Sequence, residues 1–473
     1  MTARRSGKTA RRYKKKNQSG AWLAGVVLGV SLAVTWGSIR AAIQSVTAEQ
    51  LFSAESIYLE DFASSNYQPI QIGNNNNQNI RRDWEQIDRL AQQLDYQGNS
   101  TTELASLLSQ HVTTEAEKAR IIYAWITQHI AYDLVAFDNA VNYNRYPDVS
   151  PAIVLRDRST ICSGYSNLYF ALAKAMNLDV AIVIGYAKRA TPNQPRFQDV
   201  NHAWNAVQID SAWYLLDATW GAGSIVENQF TPDYKPYYFA TPPEEFIQNH
   251  FPQDLGWQLL DQTYTRAEFD NLPQVSDRFY NLGLQLSSHD NYRIDVSNRF
   301  TLKLKAPKDI AALAVLKQGE QEFANAAIVN RQGNDLIINI APPAAGSYEL
   351  GIYAKKQNDS GQYGEVVQYQ LEAHQSSAGL AKIYGHFNQQ QANLIEPLDV
   401  NLQSNRSTYF NLVVPQATDV RVVNTTTESS TPLRGYGNSF VGHVNIDVGD
   451  TIVVARFPGS NEYWKLIEYQ SVP

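Results

Sequence analysis

The hydrophobic period of the chain changes between residues 176 and 180, and this change limits the fold more than any other feature. Before it, apolar residues recur every three or four positions, as on one face of an amphipathic helix. The clearest stripe comprises Ile121, Ile122, Trp125, Ile126 and His129. It follows a capping-box signature at Thr114, where a Ser or Thr precedes a Glu by three positions, and Ser100 begins another. A further helix is predicted after Cys162.

Beyond the change, apolar residues form short β-branched and aromatic runs, which are typical of strands. These runs are 180–187 (VAIVIGYA), 202–209 (HAWNAVQI) and 213–220 (WYLLDATW). The dipeptide at 210–211 would close the last two runs into a hairpin. Helices followed by antiparallel strands predict an α+β domain, which we place at residues 81–276.

The C-terminal part has strand-like runs between Gly, Pro and Asn turns and no long helical stripe. Residues 300–310 and 409–420 resemble each other, because each has an alternating strand before a Pro and an Asp-Ile or Asp-Val step. Each belongs to a segment of roughly 100 residues, the size of one immunoglobulin-like sandwich. The sequence therefore predicts two β-sandwich domains, 277–376 and 377–473. Tyr348 in the first resembles a tyrosine corner, in which the hydroxyl bonds nearby backbone.

An uncharged apolar run of 19 residues, 21–39, follows a basic N-terminal arm. About 20 apolar helical residues span a bilayer, Trp favours membrane interfaces, and Lys and Arg stay on the cytoplasmic side. Trp22 and Trp36 lie near the two ends of the run. The sequence thus predicts a basic cytoplasmic arm (1–20) and a transmembrane helix or signal anchor (21–42).

Residues 43–80 are polar and include an Asn-rich run, so they are predicted to form a tether that buries too little surface to fold. We therefore expect a single-pass membrane protein whose C-terminal domains are extracytoplasmic. The alternative is a cleaved secretory signal, whose apolar region is usually about 7–15 residues long. Small residues at 46–48 offer a cleavage point, and cleavage would leave the same domains on the same side of the membrane.

Charge is distributed unevenly along the chain. Eight of the 39 Lys and Arg residues lie among the first 16 positions, which contain no Asp or Glu. All 46 acidic residues therefore lie in the remainder, which is acidic. Because phosphate binding requires a basic face on the folded part, we expect no nucleic-acid partner.

Three residues have the types and the order that nucleophilic catalysis requires: Cys162, His202 and Asp217. Cys162 is the only cysteine, which excludes an intramolecular disulfide framework and a Cys-rich zinc site. It lies at a predicted helix start, where the helix dipole and free N–H groups favour the thiolate. His202 opens a predicted strand and supplies a base, and Asp217 on the paired strand would hold the imidazole in one tautomer.

Each of these residues also has an ordinary structural explanation. A lone buried Cys is usually a small hydrophobe, a His in a strand is often a hydrogen-bonded core residue, and an Asp at a strand end commonly bonds backbone. The combination of the three in this order favours the catalytic interpretation.

Seven segments around these positions carry a family resemblance. They are 123–133 (YAWITQHIAYD), 162–168 (CSGYSNL), 202–205 (HAWN), 217–221 (DATWG), 237–242 (YYFATP), 246–252 (FIQNHFP) and 257–260 (WQLL). Together they resemble the transglutaminase-like superfamily of cysteine enzymes, and within it the kyphoscoliosis peptidase-like branch. The resemblance extends over about residues 81–279.

The resemblance implies a papain-like transglutaminase core, with N-terminal helices and an antiparallel sheet, ahead of the two immunoglobulin-like segments. It implies Cys162 as the nucleophile, His202 as the general base and acid, and Asp217 as the orienting carboxylate. The backbone N–H of Cys162 would be one oxyanion donor. The second donor is unassigned, with Trp125 or a nearby Gln or Tyr as candidates.

We therefore expect a membrane-anchored extracytoplasmic cysteine hydrolase, a thiol peptidase or amidase that acts on protein or peptide amides through a thioester. A Lys amine in place of water would make it a protein cross-linking transglutaminase. A catalytically silent surface scaffold or adhesion module is the third possibility, suggested by the tether and the β-sandwich segments. The triad does not separate hydrolysis from cross-linking, because the shape and wetness of the channel select the acceptor.

The sequence predicts neither a metal nor a cofactor. The histidines outside the triad, His250 among them, are too scattered along the chain for metal-ligand spacing. Calcium would require an acidic loop signature, which the sequence does not contain.

Overall fold

The computed structural model describes residues 84–188 and 200–473. The predicted cytoplasmic arm, membrane helix and tether (residues 1–80) lie outside the described residues. Within the two described ranges, no helix is both long enough and apolar enough to cross a bilayer.

Helices dominate the described chain up to residue 175. They are α1 (Glu85–Gln93), α2 (Thr101–Ser109), α3 (Glu115–His129), α4 (Leu134–Tyr143), α5 (Pro151–Asp157) and α6 (Cys162–Ala175). Local sequence signals fix two of the starts. Thr114 accepts a hydrogen bond from the Glu117 N–H while the Glu117 side chain bonds back to Thr114, so α3 begins at the predicted capping box. Ser100 caps α2 by accepting the Glu103 N–H.

A five-stranded antiparallel sheet packs against these helices. Its strands are β3 (Val180–Ala187), β4 (His202–Ile209), β5 (Ala212–Leu216), β8 (Phe239–Thr241) and β9 (His250–Pro252). They lie in the order β8-β5-β4-β3-β9. Asp210 and Ser211 have φ angles of 48° and 68°, as a two-residue hairpin turn requires, so the predicted hairpin between β4 and β5 is confirmed.

Residues 213–220 are predicted to form one strand, but the observed strand β5 ends at Leu216, directly before Asp217. The Asp217 carboxylate accepts the N–H groups of Thr219 and Trp220 and begins a short helix, α7 (Ala218–Ala222). Such a cap satisfies backbone donors that a helix leaves unpaired at its start. The strand prediction was therefore wrong for its last four residues, because side-chain capping prevailed over the β-propensity of the aromatic residues.

Short elements complete this part of the chain. They are the parallel pair β1 (Ala131–Tyr132) and β2 (Ser159–Thr160), the hairpin of β6 (Gly223–Val226) and β7 (Gln229–Pro232), the 3₁₀ turns Pro236–Tyr238 and Leu255–Gln258, α8 (Pro243–Phe246) and α9 (Arg266–Asn271). Strands β8 and β9 form the two edges of the five-stranded sheet.

The main core lies between the helices and one face of this sheet. Helix α6 packs on β4, and α3 packs on α6. Trp125, Tyr165 and Tyr169 are fully buried there. A second apolar cluster, which includes Trp204 and Trp213, covers the other face. Both faces of the sheet are thus covered by apolar side chains. His202 begins β4 and Asp217 directly follows β5, so both lie within this covered sheet.

The C-terminal region contains two β-rich units. The elements of the first are β10 (Gln274–Val275), α10 (Asp277–Asn281), β11 (Gln285–Leu286), β12 (Arg293–Val296), β13 (Phe300–Lys305), β14 (Ile310–Gln318), β15 (Gln321–Phe323), β16 (Ala327–Gln332), β17 (Asp335–Ile340), β18 (Gly346–Lys356) and β19 (Gly364–Ala373). The elements of the second are β20 (Lys382–Ile383), α11 (Gly385–Gln389), β21 (Asn393–Glu396), β22 (Asn401–Gln403), β23 (Ser407–Val413), β24 (Asp419–Asn424), β25 (Ser430–Pro432), β26 (Arg434–Tyr436), β27 (Ser439–Asn445), β28 (Thr451–Arg456) and β29 (Trp464–Val472).

The two units have one topology. The first has sheets β10-β19-β18-β14-β15 and β11-β13-β17-β16, and the second has β20-β29-β28-β24-β25 and β21-β23-β27-β26. Strands β12 and β22 pair in parallel with β19 and β29. The repeat predicted from residues 300–310 and 409–420 is therefore present as two equivalent pairs of sheets. Strand β10 precedes residue 277, and the domain boundaries stay predictions.

Tyr348 in β18 has the predicted tyrosine-corner contacts. Its hydroxyl donates to the Ala344 carbonyl at 3.0 Å and accepts the Ala344 N–H at 3.2 Å. The ring is buried in the core of the first unit. This agrees with an immunoglobulin-like arrangement.

Candidate active site

Cys162 is the first residue of α6, a helix of 14 residues. Ile161, at the N-cap, makes no side-chain capping hydrogen bond. The first N–H groups of a helix have no acceptor within the helix, and the helix dipole is positive at this end. Cys162 therefore lies at the positive end of the α6 dipole, and the residue is 8% exposed.

The β4–β5 hairpin brings His202 and Asp217 together. His202 begins β4, Asp217 follows β5 directly, and the His202 Nε2 lies 2.7 Å from Asp217 Oδ2. The Cys162 side chain lies close enough to His202 to help raise the pKa of the imidazole. Because Nε2 binds the carboxylate, Nδ1 is the ring nitrogen left for the thiol. The three residues singled out in the sequence therefore lie together, with a hydrogen bond between His202 and Asp217 and the thiol of Cys162 near the imidazole.

Asp217 is saturated with hydrogen-bond donors. Its Oδ1 accepts the N–H groups of Thr219 at 2.8 Å and Trp220 at 3.0 Å. Its Oδ2 accepts from His202 at 2.7 Å and from His250 at 3.0 Å. The residue has no exposed surface. Four donors on two oxygens fix the carboxylate and offset the penalty for burying its charge.

His250 is the member of this cluster that sequence spacing missed. It begins β9, pairs with Ala187 in β3, and is 1% exposed. Its ring stacks on Phe246 with a centroid separation of 4.0 Å and lies 4.5 Å from the Trp220 ring. The expectation that the histidines outside the triad are too scattered for metal-ligand spacing was wrong for His250, which lies beside His202 and Asp217. The available signal was its position in segment 246–252, which contributes to the family resemblance.

The ligand atoms of His202, Asp217 and His250 lie within 4.8 Å of one another. Two imidazoles and a carboxylate form a donor set of the kind that zinc uses. The two imidazoles lie 2.7 and 3.0 Å from the Asp217 carboxylate oxygen, however, and these are hydrogen-bond distances, whereas two ligand atoms on a tetrahedral zinc are about 3.3 Å apart. In this arrangement the three groups are joined by hydrogen bonds, and metal binding would require their ligand atoms to move apart.

The cluster has a defined charge pattern. Burial alone would lower the pKa of His202, but the Asp217 carboxylate, with help from Cys162, outweighs burial and raises the pKa of His202 to about 10. Burial would raise the pKa of Asp217, yet His202 and His250 hold it well below its usual range. Burial prevails at His250 and lowers its pKa. At neutral pH, His202 is therefore an imidazolium beside an ionised Asp217, a state that suits acyl transfer by a thiolate.

Trp125, the named candidate for the second oxyanion donor, has another partner, and so do the nearby Gln128 and Tyr165. The Trp125 indole N–H donates to the Leu94 carbonyl at 2.9 Å. The Gln128 amide donates to two backbone carbonyls, at 3.0 and 3.1 Å. The Tyr165 hydroxyl donates to the Ile130 carbonyl at 2.6 Å. In the arrangement described, these three groups are already engaged with backbone carbonyls and do not form an oxyanion hole with Cys162.

Two family models match the chain. Residues 102–218 match the transglutaminase-like superfamily, and residues 266–379 match the KY-like, immunoglobulin-like domain. The first range contains Cys162, His202 and Asp217, and the second covers the first of the two β-rich units.

The chain is similar to several animal proteins. It is 31% identical to human kyphoscoliosis peptidase over 303 residues, which cover 63% of this chain and 44% of the human protein. It is 26% identical to hillarin of Drosophila melanogaster over 355 residues, which cover 66% of this chain and 42% of hillarin. The chain thus spans less than half the length of these relatives. A crystal structure of a TGase matches with 21% identity and a TM-score of 0.20 over 40% of this chain and 44% of that one.

The relatives and the family ranges agree with the resemblance seen in the sequence segments. The chain therefore contains a transglutaminase-like domain followed by a KY-like, immunoglobulin-like domain, and it is similar to the kyphoscoliosis peptidases.

Proposed function

We propose that this chain is a cysteine hydrolase that cleaves protein or peptide amides through a thioester intermediate. The observation that supports the proposal most is the buried carboxylate of Asp217, which holds the His202 imidazole beside the only thiol of the chain. A nucleophile, a proton carrier and an orienting carboxylate are the parts that acyl transfer requires. The human relative is named a peptidase, which agrees with hydrolysis.

Acylation starts from the thiolate and the imidazolium. Cys162 Sγ attacks the amide carbonyl carbon, a C–S bond forms, and the carbonyl electron pair moves to the oxygen. Backbone N–H groups at the start of α6 are suited to stabilise that oxyanion. When the intermediate collapses, the C–N bond breaks and the His202 imidazolium gives its proton to the departing amine.

Deacylation regenerates the thiol. In the thioester no thiolate charge faces His202, and the imidazole that has lost its proton acts as the base. It takes a proton from water while the water oxygen attacks the thioester carbon. The C–S bond then breaks, the acid product leaves, and the proton on His202 pairs again with the thiolate. Asp217 stays ionised and keeps the ring oriented.

A thiol-reactive probe tests the proposal, because Cys162 is the only thiol in the chain. His202→Ala should slow the labelling of Cys162 at pH 7 by about 10-fold or more, since the general base and its charge are lost. His374→Ala is the matched control, because its side chain is 65% exposed in the β-rich region, and it should label at the unmodified rate. Equal rates in the two variants would contradict the proposal.

The acceptor is tested with a Gln-containing protein and a fluorescent primary amine. Peptide release without amine incorporation, lost in Cys162→Ser, supports a hydrolase. Amine incorporation without peptide release would contradict hydrolysis and indicate a cross-linking transglutaminase. If neither occurs and Cys162→Ser has no phenotype, the domain is a silent scaffold and the proposal is wrong.

We also propose that the predicted helix at residues 21–42 anchors these domains outside the cytoplasm. The 19-residue apolar run and the basic arm before it support this orientation. In cells that express the chain, an epitope after residue 473 should be digested by added protease while an N-terminal epitope is protected. Release of the full chain by alkaline carbonate would contradict an uncleaved anchor.

A further inference from the structure

One oxygen of Asp217 serves two imidazoles. His202 Nε2 and His250 Nε2 lie 2.7 and 3.0 Å from the same Oδ2. The other oxygen is occupied by the two backbone N–H groups that begin α7. His250 therefore competes with His202 for one acceptor, which no part of the hydrolytic scheme requires.

His250 is held in this position by its surroundings. The ring stacks on Phe246 and also contacts the Trp220 ring. With 1% of its surface exposed, His250 is sealed from solvent, so it has no path to a substrate. Its influence on the reaction must therefore pass through Asp217.

We propose that His250 is a positioning residue that moderates Asp217: its hydrogen bond to Oδ2 keeps this carboxylate from holding a proton on His202 too strongly after the thioester forms. The role of His250 in deacylation rests on the proposed function. A donor on a carboxylate oxygen withdraws negative charge from the oxygen and weakens its attraction for a second cation. Deacylation needs neutral His202, so this weakening keeps the base available near neutral pH.

Few charged or titratable groups reach this cluster from the described elements packed around it. Asp217 at the start of α7, His202 in β4 and the Tyr238 ring, 6.3 Å away in its 3₁₀ turn, face His250. Cys162, Asp217 and His250 face His202. When the thiol of Cys162 is removed, a change at His250 therefore alters the pKa of His202 only through Asp217 or directly.

The test uses the full chain with Cys162→Ala, which removes the thiolate charge as a thioester does, and follows the ¹⁵N-labelled histidines by NMR. His250→Phe keeps a ring but no donor, and His250→Gln keeps an amide donor near the position of Nε2. The pKa of His202 should rise by about one unit in His250→Phe, because one hydrogen bond to a charged group is lost. In His250→Gln the pKa of His202 should change by less than half of the rise expected in His250→Phe. An unchanged or lowered pKa in His250→Phe would overturn the proposal.

A second measurement needs no change at residue 250. In the Cys162→Ala chain, the ¹⁵N shifts should show a proton on His250 Nε2, and an unprotonated Nε2 would overturn the proposal even if His250→Phe does not fold. In the chain with its thiol, His250→Phe should move the acid limb of the deacylation rate to higher pH. If labelling of Cys162 does not depend on His202, the proposed function fails, whereas the two NMR results still decide the role of His250.

Discussion

Tyr123 and Gly221 lie so close together that no side chain fits between them. A Cβ atom at Gly221 would overlap the Tyr123 hydroxyl and lie 2.7 Å from its Cζ atom. The Tyr123 hydroxyl donates to the Lys235 carbonyl at 2.6 Å, and its ring is fully buried. This contact fixes α7, and with it Asp217, against α3.

Gly221→Ala should destabilise the fold by about 1–3 kcal/mol, because the added methyl group overpacks a site whose neighbour cannot move. The free energy of unfolding in urea measures the change. Gly385→Ala is the control, since a Cβ there meets nothing within 4 Å, and it should change stability by less than about 0.5 kcal/mol. Adding Tyr123→Phe should cost less in the Gly221→Ala chain than alone, and strict additivity would contradict the contact.

Arg120 is a buried cation whose guanidinium is fully engaged. It bonds both oxygens of Asp88, at 2.8 and 2.7 Å, and the Tyr234 hydroxyl at 2.8 Å, with 2% of the residue exposed. Arg120→Met should lower the free energy of unfolding by about 3–5 kcal/mol, because it leaves Asp88 without its partner. Arg89, whose pair with Glu85 is more than half exposed, is the control. Arg89→Ala should have an effect below about 1 kcal/mol, and equal losses in the two variants would refute the prediction.

The free energy of unfolding should decrease from pH 6.5 to about 10. Asp217 raises the pKa of His202 from 6.5 to about 10, so the folded chain keeps a proton that the unfolded chain releases. This contribution is fully present below pH 6.5 and is lost as the pH rises through about 10. Asp217→Asn removes the partner charge and should flatten this part of the profile. Urea midpoints at several pH values measure both slopes, and parallel slopes would argue against the coupling.

The sequence predicts this site well where the determining contacts are local. The capping box at Thr114 and the hairpin turn at 210–211 depend on residues a few positions apart, and both are present. The order of Cys162, His202 and Asp217 indicated a cluster because each lies at the end of a recognisable element. Spacing alone does not reveal His250, because it reaches Asp217 from a three-residue strand 33 positions away.

Trp125→Phe tests whether this indole has a catalytic role. Its N–H donates to the Leu94 carbonyl, and its ring stacks on His129 at 4.6 Å with Arg158 5.0 Å from its centroid. We therefore expect a loss of stability of about 1–2 kcal/mol and a change in kcat/KM of less than about 3-fold. Loss of an oxyanion donor would instead lower kcat by about 10²–10³. A fall of that size, with the fold intact by circular dichroism, would show that the indole leaves Leu94 during the reaction.

Gly164, two residues after the thiol, determines how the start of α6 sits on β2. A Cβ atom at Gly164 would overlap the Thr160 hydroxyl and lie 2.8 Å from the Thr160 Cβ, and Thr160 is itself buried. Gly164→Ala should therefore displace Cys162 from His202 and slow the labelling of the thiol at pH 7 by about 10-fold, because a displacement of about 1 Å is costly in such a site. Thr160→Ala removes the obstructing atoms. Combining it with Gly164→Ala should restore most of the labelling rate, whereas a double variant as slow as Gly164→Ala would show that the glycine is required for another reason.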